Sequence, residues 1–97
     1  MRVTINGEAW HLEFVTRKEL TEQGRKHGHK RRLDGLCDYD QRTIYIFRGL
    51  AGEQRKDTLM HEYLHAVFPQ ASEEWVTERG TEMAEYVKRG MEPPDGD

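Results

Sequence analysis

Apolar and polar positions alternate at the start of the chain, where Val3, Ile5, Trp10, Leu12 and Phe14 stand between polar neighbours on either side of Asn6-Gly7. Asn-Gly is the pair best suited to a two-residue turn with both φ angles positive, so the pattern predicts a β-hairpin, with Glu8-Ala9 able to lengthen its loop. His11 alternates onto the polar side. Thr16 then predicts the cap of a short helix over 17–23, with Glu19 in the capping-box position and Gly24 as its stop. Residues 25–32 have no apolar periodicity and read as a solvated loop. Asp34-Gly35 signals a turn, after which 36–39 and 43–47 predict two strands joined at Asp40-Gln41-Arg42. The second, Thr43-Ile44-Tyr45-Ile46-Phe47, is β-branched or aromatic throughout.

Between residues 53 and 68 there is no glycine or proline, and Met60, Leu64 and Val67 recur at helical spacing. A helix is expected there, ended by Pro69. Ser72 is a good N-cap for a further helix from Glu73 to about Arg89. On its wheel Glu73 falls on the face of Val76, Gly80, Met83, Ala84 and Val87, while Glu74, Glu78, Glu82 and Glu85 point away. The segment 91–97 is acidic and proline-containing and is expected to be a disordered tail. The fold class that follows is α+β: one domain over residues 1–90, with a small antiparallel sheet of two hairpins packed on the two later helices.

Composition narrows this picture. With 97 residues, 35% of them hydrophobic and 34% charged, the chain holds one modest core, which a bound metal would help to hold together. Lys plus Arg is 15 and Asp plus Glu is 18, a net charge of -3, which argues against coating nucleic acid or an anionic membrane as the main task. The cations cluster in Arg25, Lys26, Lys30, Arg31 and Arg32, so a phosphate-binding patch, or a second metal site using His27 and His29, competes with the solvated loop. Cys37 is the only cysteine, which excludes an intramolecular disulfide and suits a reducing compartment. A thiol there reads as a small strand residue rather than a nucleophile. No apolar leader or membrane-spanning run is present in the sequence, so a cytoplasmic protein is expected.

The candidate chemistry lies in His61-Glu62-Tyr63-Leu64-His65. On a helix the two imidazoles leave one face roughly 6 Å apart along the axis and can hold one zinc ion. Glu62 lies on a neighbouring face, where a carboxylate reaches a metal-bound water rather than the metal. This is the HExxH pattern of zinc metallopeptidases. The competing reading pairs two half-buried histidines with Asp57 or a backbone carbonyl. Catalytic zinc usually has a third protein ligand, and the glutamate whose helical phase points inward is Glu73, with Glu74 the alternative if the helix starts one residue later. Thr77 and Asp57 are placed to hydrogen-bond a ligating carboxylate and an imidazole respectively. Zinc is expected to lower the pKa of its water to about 7, with Glu62 taking the proton and returning it to the leaving amine. Manganese, cobalt or iron suit the same ligand types less well than zinc. Tyr39, Arg42, Tyr45 and Tyr86 are the candidates for stabilising an oxyanion. A strand edge ahead of the helix offers an extended peptide a place to add to the sheet.

The segment from Thr58 through Pro69, with Ser72-Glu73-Glu74-Trp75-Val76 after it and Gly35-Leu36-Cys37-Asp38 and Ile44-Tyr45-Ile46 before it, resembles compact HExxH proteins of phage and bacterial genomes. These are related to the zincin-like ImmA/IrrE peptidases. The resemblance covers residues 35–90. It implies a His, His, Glu site of the gluzincin type, completed by a glutamate three residues before a small apolar residue, here Glu73 before Val76. It further implies a narrow regulatory protease whose substrate is a protein or peptide such as a repressor, although the longer C-terminal portion of those peptidases has no counterpart here. Two other classes stay open: a zinc-stabilised protein that binds a peptide without cutting it, and a nucleic-acid module using the basic loop.

Overall fold

The computed structural model describes residues 1–88, so the tail expected at 91–97 lies outside them. Strands β1 (Arg2–Ile5) and β2 (Glu8–Val15) form the first hairpin. Its turn is Asn6-Gly7 alone, with φ of 53° and 78°, and Glu8 already pairs with Ile5. Two positive φ angles match the twist of the flanking strands, which is why the loop stays at two residues.

Helix α1 (Arg17–Lys26) follows, its cap Thr16 accepting a hydrogen bond from the Glu19 amide. It runs past Gly24, contrary to the expectation that this glycine stops it. Gly24 is buried against the Leu33 side chain, and Gly28, at φ 82°, turns the chain instead. There the His29 and Gly28 amides donate to the carbonyls of Gly24 and Arg25 at 2.9 and 3.0 Å, the paired bonds that close a helix through a left-handed residue.

Strands β3 (Gly35–Asp38) and β4 (Thr43–Phe47) form the second hairpin, and the sheet order is β1-β2-β4-β3. Each hairpin is antiparallel, but β2 and β4 run parallel, from His11 opposite Thr43 to Val15 opposite Phe47. The sheet is therefore mixed rather than wholly antiparallel. Thr43 to Ile46 are all buried, so β4 takes the interior position, while β3 alternates in burial and takes the edge. The connection through α1 returns β3 antiparallel to β2, and β4, which reverses β3 and lies between the two, therefore runs parallel to β2.

Helices cover both faces. Leu20 of α1 packs with Val15, Leu36 and Tyr45; on the other face Ile44 and Ile46 meet Ala66 and Leu59 of helix α2 (Gly52–Val67), along with Ile5 and Trp10. Phe14, at the end of its alternation, is 39% exposed with the Arg55 guanidinium 5.4 Å above its ring. Helix α3 (Glu73–Lys88) packs on α2, with the fully buried Val76 in its first two turns and Gly80 against Leu64. Among the described residues no helix is long and apolar enough to cross a membrane.

Helix α2 crosses the sheet closely at Gly35. A Cβ built there would lie 2.8 Å from Thr58 Cγ2 and 2.9 Å from Glu62 Cγ. Gly35 is thus the first residue of the edge strand and keeps it bare where the helix crosses, a role beyond the turn its sequence suggests. Gly35→Ala should lower unfolding free energy by about 1–3 kcal/mol, the usual range for overpacking, and urea denaturation checks it.

Candidate metal centre

Both histidines fall in the last two turns of α2, and two distant side chains hold that end. Tyr39 Oη donates to the His65 carbonyl at 2.9 Å, and Asn6 Nδ2 donates to the Val67 carbonyl at 3.0 Å. These carbonyls have no partner within the helix, so the two hairpin turns fasten its C-terminus. Phe68 then meets Trp75 edge to face, with ring centroids 5.1 Å apart, across the corner to α3. Ser72 caps α3 through the Trp75 amide at 3.0 Å. This cap sets the helical phase: Glu73 is the first residue of α3 and turns back toward α2.

Glu73 Oε1 lies 2.7 Å from His61 Nε2, Glu73 Oε2 lies 2.9 Å from His65 Nε2, and the two Nε2 atoms are 3.1 Å apart. Tetrahedral ligands about 2.0–2.2 Å from a zinc ion stand roughly 3.3 Å from one another, so this donor set fits such an ion with small outward adjustments. Two imidazoles and a carboxylate are also ligand types that suit zinc. Side-chain exposures of 27% for His61, 15% for His65 and 63% for Glu73 leave the group open to solvent on one side. Burial, chiefly, lowers the pKa of His65, and the neighbouring His61 adds to it; Glu73 opposes both. The outcome favours the neutral imidazole that a metal requires.

Glu62 is on the sheet side of α2, between Leu59 and Ala66, with its carboxyl against Gly35. Burial and then the facing Glu73 carboxylate push its pKa up to about 8. It belongs to no ligand group, but it borders the same cleft as the three donors. One lobe, about 430 Å³, is lined by Arg31, Arg32, Asp57, His61, Glu62 and Glu73. The other, about 270 Å³, adds Cys37, Tyr39 and His65. The free edge of β3 therefore runs along the cleft, whereas β4 is internal.

Other sequence candidates fall elsewhere. Glu74 is exposed outside the group. No hydrogen bond joins Thr77 to Glu73 or Asp57 to His61, although Asp57 lines the cleft. Of the four oxyanion candidates only Tyr39 lines the cleft; burial pushes its pKa up to about 12, so it remains a donor. Tyr45 is in the core beneath α1, Arg42 pairs with Glu8, and Tyr86 is 75% exposed on α3. The Cys37 thiol is pushed up to about 12 by burial and by Glu62, which leaves it protonated and a poor nucleophile. His11 is exposed on β2. His27 is engaged with buried Asp38 at 3.1 Å, so it forms no site with His29. Among the described residues, His61, His65 and Glu73 are the donor group that converges.

Sequence reasoning missed Gly35 as the residue against which Glu62 rests, and it missed His29, Arg31 and Arg32 as cleft residues. Nothing in their local pattern signals this, since it depends on where the loop after α1 lies relative to α2. No protein-family model matches the chain, and no curated protein or solved structure is significantly similar to it.

Metal-free protein carries a pH signature of Glu62. Its folded pKa, about 8, lies above the unfolded value near 4.5, so the fold binds the extra proton and loses stability as pH rises between them. Glu62→Gln mimics the protonated form. In chelator-treated protein its melting temperature should gain on the wild type from pH 5 to 8 and hold a constant lead above; a lead independent of pH would contradict the burial argument.

Proposed function

We propose that this chain is a small zinc-dependent metalloendopeptidase. The observation that carries this reading is the approach of His61 Nε2, His65 Nε2 and both Glu73 oxygens within 2.7–3.1 Å, with Glu62 beside them and outside the group. A zinc ion in that position would supply Lewis acidity, making a water nucleophilic near neutral pH and polarising a carbonyl.

The chain's own groups supply the rest. Glu62, held against Gly35, accepts the proton of the attacking water and delivers it to the leaving amine nitrogen. A positive charge beside it counters the burial and the Glu73 repulsion that raise its pKa, so it can act as a base near neutrality. The edge of β3 offers backbone groups to an extended peptide, which places the peptide along the cleft. Tyr39, protonated and bordering the cleft, could serve a developing oxyanion only by releasing the His65 carbonyl to which its hydroxyl donates.

On this reading the chain would group with the compact HExxH zincin-like proteins related to ImmA/IrrE that its sequence resembles, as a regulatory protease in the cytoplasm of a bacterium or a phage-infected host. A repressor is then the first substrate to try. A second reading has its own support: the same three side chains tie α3 to α2, so zinc can serve as a clamp in a peptide-binding protein that does not cut.

Glu62→Gln separates the two. The variant should keep one zinc per chain while hydrolysis of denatured proteins or candidate repressors falls by about 10²–10⁴-fold, the usual worth of a general base. Loss of zinc together with activity would make Glu62 a ligand. Wild-type zinc protein that yields no fragments from any of these substrates would favour the clamp.

A further inference from the structure

A second cavity, about 410 Å³, opens beside the cleft between the end of α1 and the loop that follows it. Its wall carries Arg17, Arg25, His29, Lys30, Arg31 and Arg32, and no carboxylate. Arg17 is committed elsewhere: it donates to the Leu33 carbonyl, pairs with Asp34 at 3.1 Å and lies 3.9 Å over the Phe47 ring. Arg25, Lys30, Arg31 and Arg32 form no ion pair within the described residues, although the chain as a whole is net acidic. Four uncompensated cations around one concavity repel one another, and an anion relieves that repulsion.

The cavity adjoins the candidate centre. Arg31 borders both it and the two lobes over His61, Glu62 and Glu73, and Arg32 borders it and the larger lobe. Asp57 and Asp34 also line that lobe, but Asp34 is held by Arg17 and Asp57 stands on α2. An extended chain that passes the centre along β3 would therefore meet Arg31 and Arg32, which line the cleft and the adjoining cavity alike.

We infer that this basic cavity is a specificity subsite for acidic side chains of a peptide, with Arg31 and Arg32 selecting aspartate or glutamate close to the bond presented at the metal centre. The inference rests on the peptidase reading above. A peptide is favoured over nucleic acid because no phenylalanine, tyrosine or tryptophan lines the cavity to stack a base, and because the net charge of -3 repels a long polyanion. Carboxylates suit the forked donors of arginine, which bind them in pairs.

The test is equilibrium binding to zinc-loaded Glu62→Gln protein, read by fluorescence anisotropy with labelled peptides of equal length that are acidic or neutral. The acidic peptide should bind roughly tenfold more tightly, and R31Q/R32Q in the same background should remove most of that preference, as expected for two partly exposed ion pairs. Zinc content and circular dichroism of the variant check that it is folded, and wild-type protein with a non-hydrolysable peptide analogue repeats the comparison. Equal affinity for the two peptides, or a preference unchanged in R31Q/R32Q, would overturn the subsite. So would a single-stranded oligonucleotide that outcompetes the acidic peptide. Acidic preference without cleavage by the wild type would sink the peptidase reading alone, and cleavage without the preference would sink the subsite alone.

Discussion

Two imidazole nitrogens 3.1 Å apart, each within 2.9 Å of an oxygen of one carboxylate, present lone pairs to one another that only protons or a cation can reconcile. Much of the fold serves that convergence. The histidines stand four positions apart on one helix, and a serine cap fixes which residue of α3 faces them. The edge-to-face Phe68 and Trp75 rings hold the corner, and hydrogen bonds from Tyr39 and Asn6 secure the end of α2. Each device is modest in energy, yet all of them act on the last turns of α2 or the first turn of α3.

Glu62 is governed by a different constraint. A carboxyl on the sheet side of a helix would ordinarily be excluded, because burying its charge is costly. The bare backbone at Gly35 leaves room for it, and its pKa near 8 records the cost. The same close approach brings the free edge of β3 alongside the donors. A buried carboxyl, the solvent-facing group of His61, His65 and Glu73 and the edge strand β3 therefore meet where α2 crosses a glycine.

What was legible in the sequence is what local geometry decides. Asn6-Gly7 specified its turn through two positive φ angles, and the spacing of His61 and His65 specified a shared helical face. Glu73 was legible because Ser72 is a cap whose position sets a phase. What depends on the arrangement of distant elements was not. Gly24 looked like a stop but serves as a contact for Leu33, and the parallel pairing of β2 with β4 depends on which strand of the second hairpin fills the gap. The basic loop carried no periodicity from which its place beside the cleft could be read, since Arg31 comes near His61 only through the tertiary fold.

The most direct measurement is metal content, with X-ray absorption at the metal edge, on protein purified without a histidine tag or chelator. One zinc per chain, with two imidazole nitrogens and a carboxylate oxygen about 2.0–2.2 Å away and lost on His61→Ala or Glu73→Ala, is the expected result. Protein that takes up no metal, or holds it unchanged in both variants, would contradict the convergence of these three side chains on one cation.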